Sequence, residues 1–316
     1  MSGKLLSIVT PTYNEEENVR EVYEQAKRVM AELPGYRYEH LFIDNASTDK
    51  TVDILREIAA ADPNVKVIVN ARNFGHIRSP YYGLIQAHGD AVILLVADLQ
   101  DPPALMLDFV RAWENGAKMI LGVKTQSGES RLLFFIRKLY YTLVTKLSGT
   151  KLQKNFTGFG LYDKSVMDVL RRIDDPYPYF RGLVMEIGPE PVTVPYHQPA
   201  RTRGITKNNF YTLYDMAMLG ITSHSKVPLR LATMLGFALS CFGMLVAFGY
   251  LVAKLVFWNI FSAGIAPIVI GGFIFLSLQL FFIGLIGEYV AAIHTQVMRR
   301  PLVVEKERIN FPADSQ

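Results

Sequence analysis

The chain has 316 residues, half of them hydrophobic, and 33 Lys and Arg against 29 Asp and Glu leave a net charge of +4. That length allows one large domain or two smaller units, and a single cysteine excludes a disulfide framework. No basic run interleaved with aromatics appears outside the membrane-proximal part, so the modest positive charge fits a surface facing anionic lipid better than nucleic acid.

Taken in chain order, the first 125 residues alternate between strand and helix signals. LLSIVTPT, 5–12, reads as a strand and lacks the pattern of a secretory signal. A helix is predicted over 15–33, capped near Asn14. YEHLFID is a strand ending at Asp44, and 49–61 is a helix behind the Ser47, Thr48 and Asp49 cap cluster. VKVIVN is a strand and 77–88 a helix; AVILLVAD is a strand ending at Asp98, 103–115 a helix, and AKMILGVK a strand. Such alternation with Val- and Ile-rich strands predicts an α/β fold with a parallel sheet covered on both faces. Ligands of such sheets gather outside the carboxyl ends of the strands. Asp44, Asn73 and Asp98 all fall at such ends, and their convergence predicts a pocket rather than separate caps.

Further on, 127–148 is amphipathic, with Leu132, Phe135, Ile136, Leu139, Tyr140 and Leu143 set against Arg131, Arg137, Lys138 and Lys146. A second amphipathic helix is predicted over 205–224, where Phe210, Leu213, Met216 and Leu219 suit a membrane interface. Both segments also fit ordinary globular helices. Residues 231–253 and 266–287 carry no charge, and each run is long enough to cross a hydrocarbon core of ~30 Å. Pro267 opens the second run near a helix first turn, and Cys241 lies inside the first as a small packing residue. Lys226 and Arg230 precede the pair, Arg299 and Arg300 follow it, and 257–266 has neither Lys nor Arg. Cation placement therefore puts both flanks in the cytoplasm and a short hairpin loop outside.

The stretch VADLQDPP holds the candidate chemistry. Asp98 at a strand end can bind Mg²⁺ or Mn²⁺, which prefer hard oxygen ligands. Gln100 can add a carbonyl oxygen or hold a metal-bound water, and Asp101 either faces the same site or caps the next helix. Asp44 can accept from a base or ribose, and Pro11, Thr12 and Tyr13 can frame that base; Glu15 equally suits a helix first turn. Read alone, VADLQDPP is also an ordinary solvated strand-to-helix turn.

In order, VTPTYNEEENV, IDNASTDKT, NARNFGH and GDAVILLVADLQDPP resemble glycosyltransferase family 2, with its GT-A nucleotide-sugar-binding fold. With RTRGITKNN, two apolar runs, GLIGEYV and RRPLVV, the chain over 5–304 resembles the polyprenyl-phosphate glycosyltransferases related to dolichol-phosphate mannose synthase. The resemblance implies a GT-A domain over 1–200 with a Rossmann-like, mostly parallel sheet. It implies a basic, amphipathic juxtamembrane segment over 201–228, a transmembrane hairpin over 229–294 and a cytoplasmic tail over 295–316. The implied reaction is inverting transfer from a UDP-sugar, glucose first among candidates, to undecaprenyl phosphate at the inner (plasma) membrane. Mg²⁺ or Mn²⁺ is the implied cofactor. Membrane lipid is an implied partner, and the amphipathic helices can support a homo-oligomer. On this sequence the family roles fall on Pro11, Tyr13, Glu15, Asp44 and Asn73 for the nucleotide, and on Asp98 with Gln100 for the metal. Arg131, Arg201 and Lys207 fall to the lipid phosphate, with Asp98, Arg201 and Lys207 as the catalytic set. Other UDP-sugars, a polysaccharide-extending synthase and a non-catalytic nucleotide-sugar-binding scaffold are the alternatives.

The pattern departs from the family twice. Val96-Ala97-Asp98 stands where relatives often carry D-A-D, and Gly158 and Gly160 stand where many carry the Asp and Arg of Gly-Asp-Phe-Arg-Leu. A phosphate monoester has a second pKa of about 6 and is mostly a dianion at neutral pH, so such an acceptor needs no side-chain base. Asp163, just before KSVMDVL, reads as a helix cap.

Overall fold

The computed structural model describes residues 3–125, 153, 155–198, 218–219, 227–257 and 265–311. Arg131, Arg201 and Lys207 lie outside the described residues, as do 127–148 and nearly all of 205–224.

The opening alternation folds as β1 Leu5–Thr12, α1 Val19–Ala31, β2 Arg37–Asp44, α2 Thr51–Ala61, β3 Val65–Asn70, α3 Gly75–Gln86, β4 Ala91–Leu94, α4 Leu105–Glu114 and β5 Met119–Lys124. There follow β6 Phe156–Asp163, α5 Lys164–Arg171, α6 Phe180–Ile187 and β7 Val192–Tyr196. Two long helices, α7 Val227–Val256 and α8 Ile265–Val297, precede a last strand, β8 Glu305–Ile309. The eight strands form one sheet in the order β7-β5-β6-β4-β1-β2-β3-β8. β1 runs parallel to β2 and β4, β2 to β3, and β5 to β7. β6 is antiparallel to β4 and β5, and β8 to β3.

Both faces of the sheet are covered, which is why its central strands are apolar almost without interruption. On one face Leu6, Ile8 and Phe42 pack with Val22, Leu55, Ile58, Phe109 and Trp113 of α1, α2 and α4. On the other, Val9, Ile43 and Val92 meet Tyr81 and Leu84 of α3, Met167 of α5 and Val184 of α6.

Three expectations change. First, α1 begins at Val19, not behind Asn14. The backbone N–H groups of Asn14, Glu15 and Glu16 donate to Ser47 Oγ (2.9 Å), Thr51 Oγ1 (2.8 Å) and Asp49 Oδ2 (3.2 Å), which holds them out of the helix. Second, AVILLVAD pairs as a strand only through Leu94; after Leu95 N–H donates to Val9 O (2.9 Å) the chain leaves the ladder. Third, the expected C-terminal tail returns to the sheet. β8 covers the edge of β3, Arg308 donates to Gln86 Oε1 (2.9 Å), and Asn310 Nδ2 donates to Ala59 O (2.6 Å) and Val65 O (2.9 Å). An open edge would otherwise invite pairing with another chain.

α7 and α8, of 30 and 33 residues, contain stretches long and apolar enough to cross a membrane, Val227–Ala253 and Gly271–Val297. At 1.5 Å per residue they are roughly 45 and 50 Å long, beyond a ~30 Å hydrocarbon core. Phe237, Phe242, Leu245, Phe273 and Phe281 stand exposed on them, an apolar surface of the kind that marks a protein or membrane contact. Gln296, in the last turn of α8, donates to Asp175 Oδ1 (2.8 Å), tying the end of that helix to the sheet domain.

Candidate active site at the carboxyl edge of the sheet

β1 and β2 end side by side, Thr12 opposite Asp44. The Asp44 side chain is fully buried. Its Oδ2 accepts from Ser47 N–H (2.8 Å), and its Oδ1 from Ser47 Oγ (2.5 Å) and Thr12 Oγ1 (3.2 Å). Burial pushes the carboxyl above the ordinary aspartate value, and the Ser47 and Thr12 bonds only partly offset that. Pro11, Tyr13 and Glu15 are half-buried around the same strand end, and Glu15 Oε2 accepts from Asn18 Nδ2 (2.8 Å). Thr48 N–H donates to Asn14 Oδ1 (2.8 Å) and Lys50 N–H to Glu16 Oε2 (3.0 Å), so the two loops are laced together. Asn14 and Ala46 take left-handed backbone, φ +55° and +60°, to make this fit.

Asn45 extends the lacing to β3. Its Nδ2 donates to Asn73 Oδ1 (2.9 Å) and Gly75 O (3.2 Å); its Oδ1 accepts from Asn70 Nδ2 (3.2 Å) and Phe74 N–H (2.8 Å). Asn73 Oδ1 also accepts from Gly75 N–H (2.8 Å), so Asn73 shapes the loop into α3.

β4 leads to the third strand end. Asp98 and Gln100 are half-buried there, and Gln100 N–H donates to Asp98 Oδ1 (3.2 Å). Leu99 between them has φ +56°, a conformation that costs a non-glycine residue about 1–3 kcal/mol and persists where neighbours impose it. The neighbours are on β7 and just beyond. Asp101, only 2 % exposed, accepts from Tyr196 OH, and Gln100 Oε1 accepts from Gln198 Nε2 (2.9 Å). Asp101 is therefore no helix cap; α4 has no side-chain cap bond. Burial holds its carboxyl above the ordinary range, the Tyr196 bond and the Lys124 charge pull the other way, and the Asp98 charge adds to the rise. Mg²⁺ is ordinarily held by one or two carboxylates, with water and substrate phosphate completing its shell. Asp98 and the second lone pair of Gln100 Oε1 match that pattern, and among the described residues no group of three or more His, Cys, Asp or Glu gathers.

Residues 7–171 match the family model described as Glycosyl transferase family 2. The chain belongs to glycosyltransferase family 2. It is 34 % identical over 299 residues to an uncharacterized glycosyltransferase, YkcC, of Bacillus subtilis (strain 168), covering 94 % of this chain and 92 % of that one. It is 32 % identical over 304 residues to the SfII prophage-derived bactoprenol glucosyl transferase of Shigella flexneri, covering 96 % and 97 %. Its fold is similar to the crystal structure of glucosyl-3-phosphoglycerate synthase from Mycobacterium tuberculosis in complex with Mn²⁺, UDP and phosphoglyceric acid. The TM-score is 0.50 at 17 % identity, over 69 % of this chain and 76 % of that one. The sheet is thus of the GT-A kind, and this glycosyltransferase carries its candidate residues along one edge of it.

The departure at 157–161 has a structural cause in this glycosyltransferase. Gly158 has φ +110°, and a Cβ on Gly160 would lie 2.4 Å from Ile120 O in the adjacent strand. Tyr162 OH donates back to Gly158 O (2.6 Å) and locks the bend. Neither position supplies an acid or a base. Asp163 pairs with Ala91, the first residue of β4, at the opposite edge from Asp98. It accepts from Ser165 N–H (3.0 Å), Trp113 Nε1 (2.7 Å) and Lys118 Nζ (3.2 Å). Despite the cost of burial, these bonds hold its carboxyl below the ordinary range. Asp163→Asn can still accept from Ser165 N–H, but its NH2 would face the Trp113 Nε1 and Lys118 Nζ donors, so stability is expected to fall by about 1–3 kcal/mol with kcat unchanged. A kcat loss of several powers of ten in folded protein would give Asp163 a chemical role instead.

Proposed function

We propose that this glycosyltransferase moves a glucosyl group from UDP-glucose to undecaprenyl phosphate, with inversion, at the cytoplasmic face of the plasma membrane. The observation that carries the reading is the pairing of a strand-edge acidic loop with two apolar helices in one chain. The bactoprenol glucosyl transferase relative, matched over nearly its whole length, supports the acceptor and the sugar. Pro11, Tyr13 and Glu15 frame the nucleotide beside Asp44, and Asn73 with Asn45 holds the third wall of that pocket. Asp98 and Gln100 are the residues that would hold Mg²⁺ or Mn²⁺, which when bound would neutralise charge on the departing diphosphate.

The acceptor phosphate oxygen attacks the anomeric carbon as the bond to UDP breaks. The electron pair leaves with UDP, and no proton has to be removed from a dianion. The protein's part is to orient, exclude water and stabilise the leaving charge. Arg131, Arg201 and Lys207 are the cations proposed to meet the lipid phosphate. Two spans return the chain to the side it left, and the bonds of β8 to β3 and of Gln296 to Asp175 support placing both flanks with the catalytic domain.

The full chain, purified in detergent, is expected to convert undecaprenyl phosphate and UDP-glucose to a lipid of the mass of glucosyl-phospho-undecaprenol, releasing UDP. A panel of UDP-sugars tests the donor. Absence of lipid-linked product with every donor would refute the reading, and a lengthening glycan would replace it with a polysaccharide synthase.

A further inference from the structure

Two arginines beside the strand-edge site have no acidic partner among the described residues. Arg78 lies in the first turn of α3 and Arg181 in the first turn of α6. The Arg78 guanidinium stands 5.3 Å from the Tyr177 ring, and that of Arg181 stands 5.3 Å from the Tyr179 ring. Both side chains are half-buried, and among the described residues neither makes a salt bridge. Arg78 Nε is buried with no hydrogen-bond acceptor. A guanidinium laid against an aromatic face keeps its N–H fork in its own plane, set for a planar or tetrahedral oxyanion. A buried N–H without an acceptor is a deficit that an anion oxygen would remove. His76 stands exposed in the same first turn of α3, and desolvation, and after it the Arg181 charge, holds its imidazole below the ordinary value. On that loop Asp175 accepts at Oδ1 from Tyr177 N–H (2.9 Å) and Gln296 Nε2 (2.8 Å).

Position selects the anion. Phe180, next to Arg181, would lie 3.8 Å from a Cβ on Gly158, at the carboxyl edge of the sheet. The loop into α3 is tied by Asn45 to the end of β2, beside Asp44. On the other side, the Asp175–Gln296 bond fastens the 175–181 segment to the last turn of α8, just before Arg299 and Arg300. The two arginines therefore stand between the edge of the sheet and the end of an apolar helix. A phosphate monoester carried on a lipid fits that position, and its dianion matches two guanidinium forks and the positive end of α3.

We propose that Arg78 and Arg181, with His76 beside them, seat the phosphate of the lipid acceptor and hand it from the bilayer surface to the strand-edge site. This rests on the lipid-phosphate acceptor proposed above. Arg78→Gln, Arg181→Gln and the double variant, as full chains in detergent, test it. In the double variant the KM for undecaprenyl phosphate is expected to rise about 20-fold or more, with the KM for UDP-glucose unchanged. Binding of farnesyl phosphate without donor, followed by calorimetry, is expected to weaken about 10-fold or more, and binding of inorganic phosphate to weaken in parallel. Flotation with phosphatidylglycerol vesicles is expected to stay the same. Arg78→Lys should restore only part of the affinity, because charge returns without the fork.

An unchanged lipid-phosphate KM and unchanged farnesyl phosphate binding would overturn the seat. So would an equal rise in both KM values, which would give the arginines to the donor diphosphate, or a loss confined to vesicle flotation. If Arg78→Gln does not fold, Arg181→Gln alone decides by the same readouts. If wild-type protein makes no lipid product, the acceptor reading fails, and the farnesyl phosphate measurement still judges the seat.

Discussion

Asp98→Ala is expected to remove turnover by at least about three powers of ten while the protein stays folded and inserted, because leaving-group charge would lose its counterpoise. The side chain is half-buried at the end of β4, outside both core clusters, so its removal leaves no cavity in the packing. The loop around it is held independently, by Tyr196 on Asp101 and Gln198 on Gln100. Asp98→Asn is the sharper variant. It keeps an acceptor for Gln100 N–H and discards only the charge, so its turnover is expected to fall nearly as far. Chelation of divalent ions should silence wild-type protein reversibly, with Mn²⁺ or Mg²⁺ restoring it. Full turnover by Asp98→Asn, or by chelated wild type, would remove the metal from the proposal. UDP binding by each variant separates a lost catalytic charge from a lost donor site.

How much of this was legible beforehand depends on how local the cause is. β1 and β3 have the bounds predicted for them, because a short run rich in Val, Ile and Leu between polar turns is a local signal. Asp44 was legible as a strand end for the same reason, whereas Asp98 lies four residues beyond Leu94, the last residue of β4. The start of α1 was not, because Asn14, Glu15 and Glu16 are claimed by Ser47, Thr51 and Asp49, more than thirty residues away. β8 was not either. EKERI has a single apolar residue, Ile309, and no apolar alternation, and it becomes a strand because β3 offers an open edge. Asp101 read equally as cap or ligand because its partner, Tyr196, is 95 residues on. Asn45 sits inside IDNASTDKT, yet its four bonds run to 70–75, a loop whose path sequence does not give.

Gly160→Arg, which would rebuild part of the family pattern, is expected to abolish the folded sheet domain. Gly160 sits in β6 between two partners, opposite Leu94 on β4 and Leu121 on β5, so neither neighbour can withdraw without opening the sheet. The first added carbon would meet a backbone oxygen at 2.4 Å, an obstacle that cannot rotate away. Gly160→Ala alone is expected to cost about 3 kcal/mol or more, at the upper end for overpacking. Gly158→Asp is a different case. Its backbone, at φ +110°, lies where side chains are strained, and the expected cost is about 1–3 kcal/mol in a protein that still folds. That variant puts a carboxylate where relatives carry one, and its turnover is expected not to rise. Thermal midpoints and limited proteolysis of the three variants in detergent distinguish these outcomes. A folded Gly160→Arg protein with the wild-type midpoint would mean that β6 can shift its register against β5. A faster Gly158→Asp enzyme would mean that a base was wanted after all. The expected order follows from one fact of geometry. β6 passes so close to β5 at Gly160 that an added Cβ would meet the Ile120 carbonyl oxygen, whereas a Cβ on Gly158 would meet only the side chains of Leu94 and Phe180.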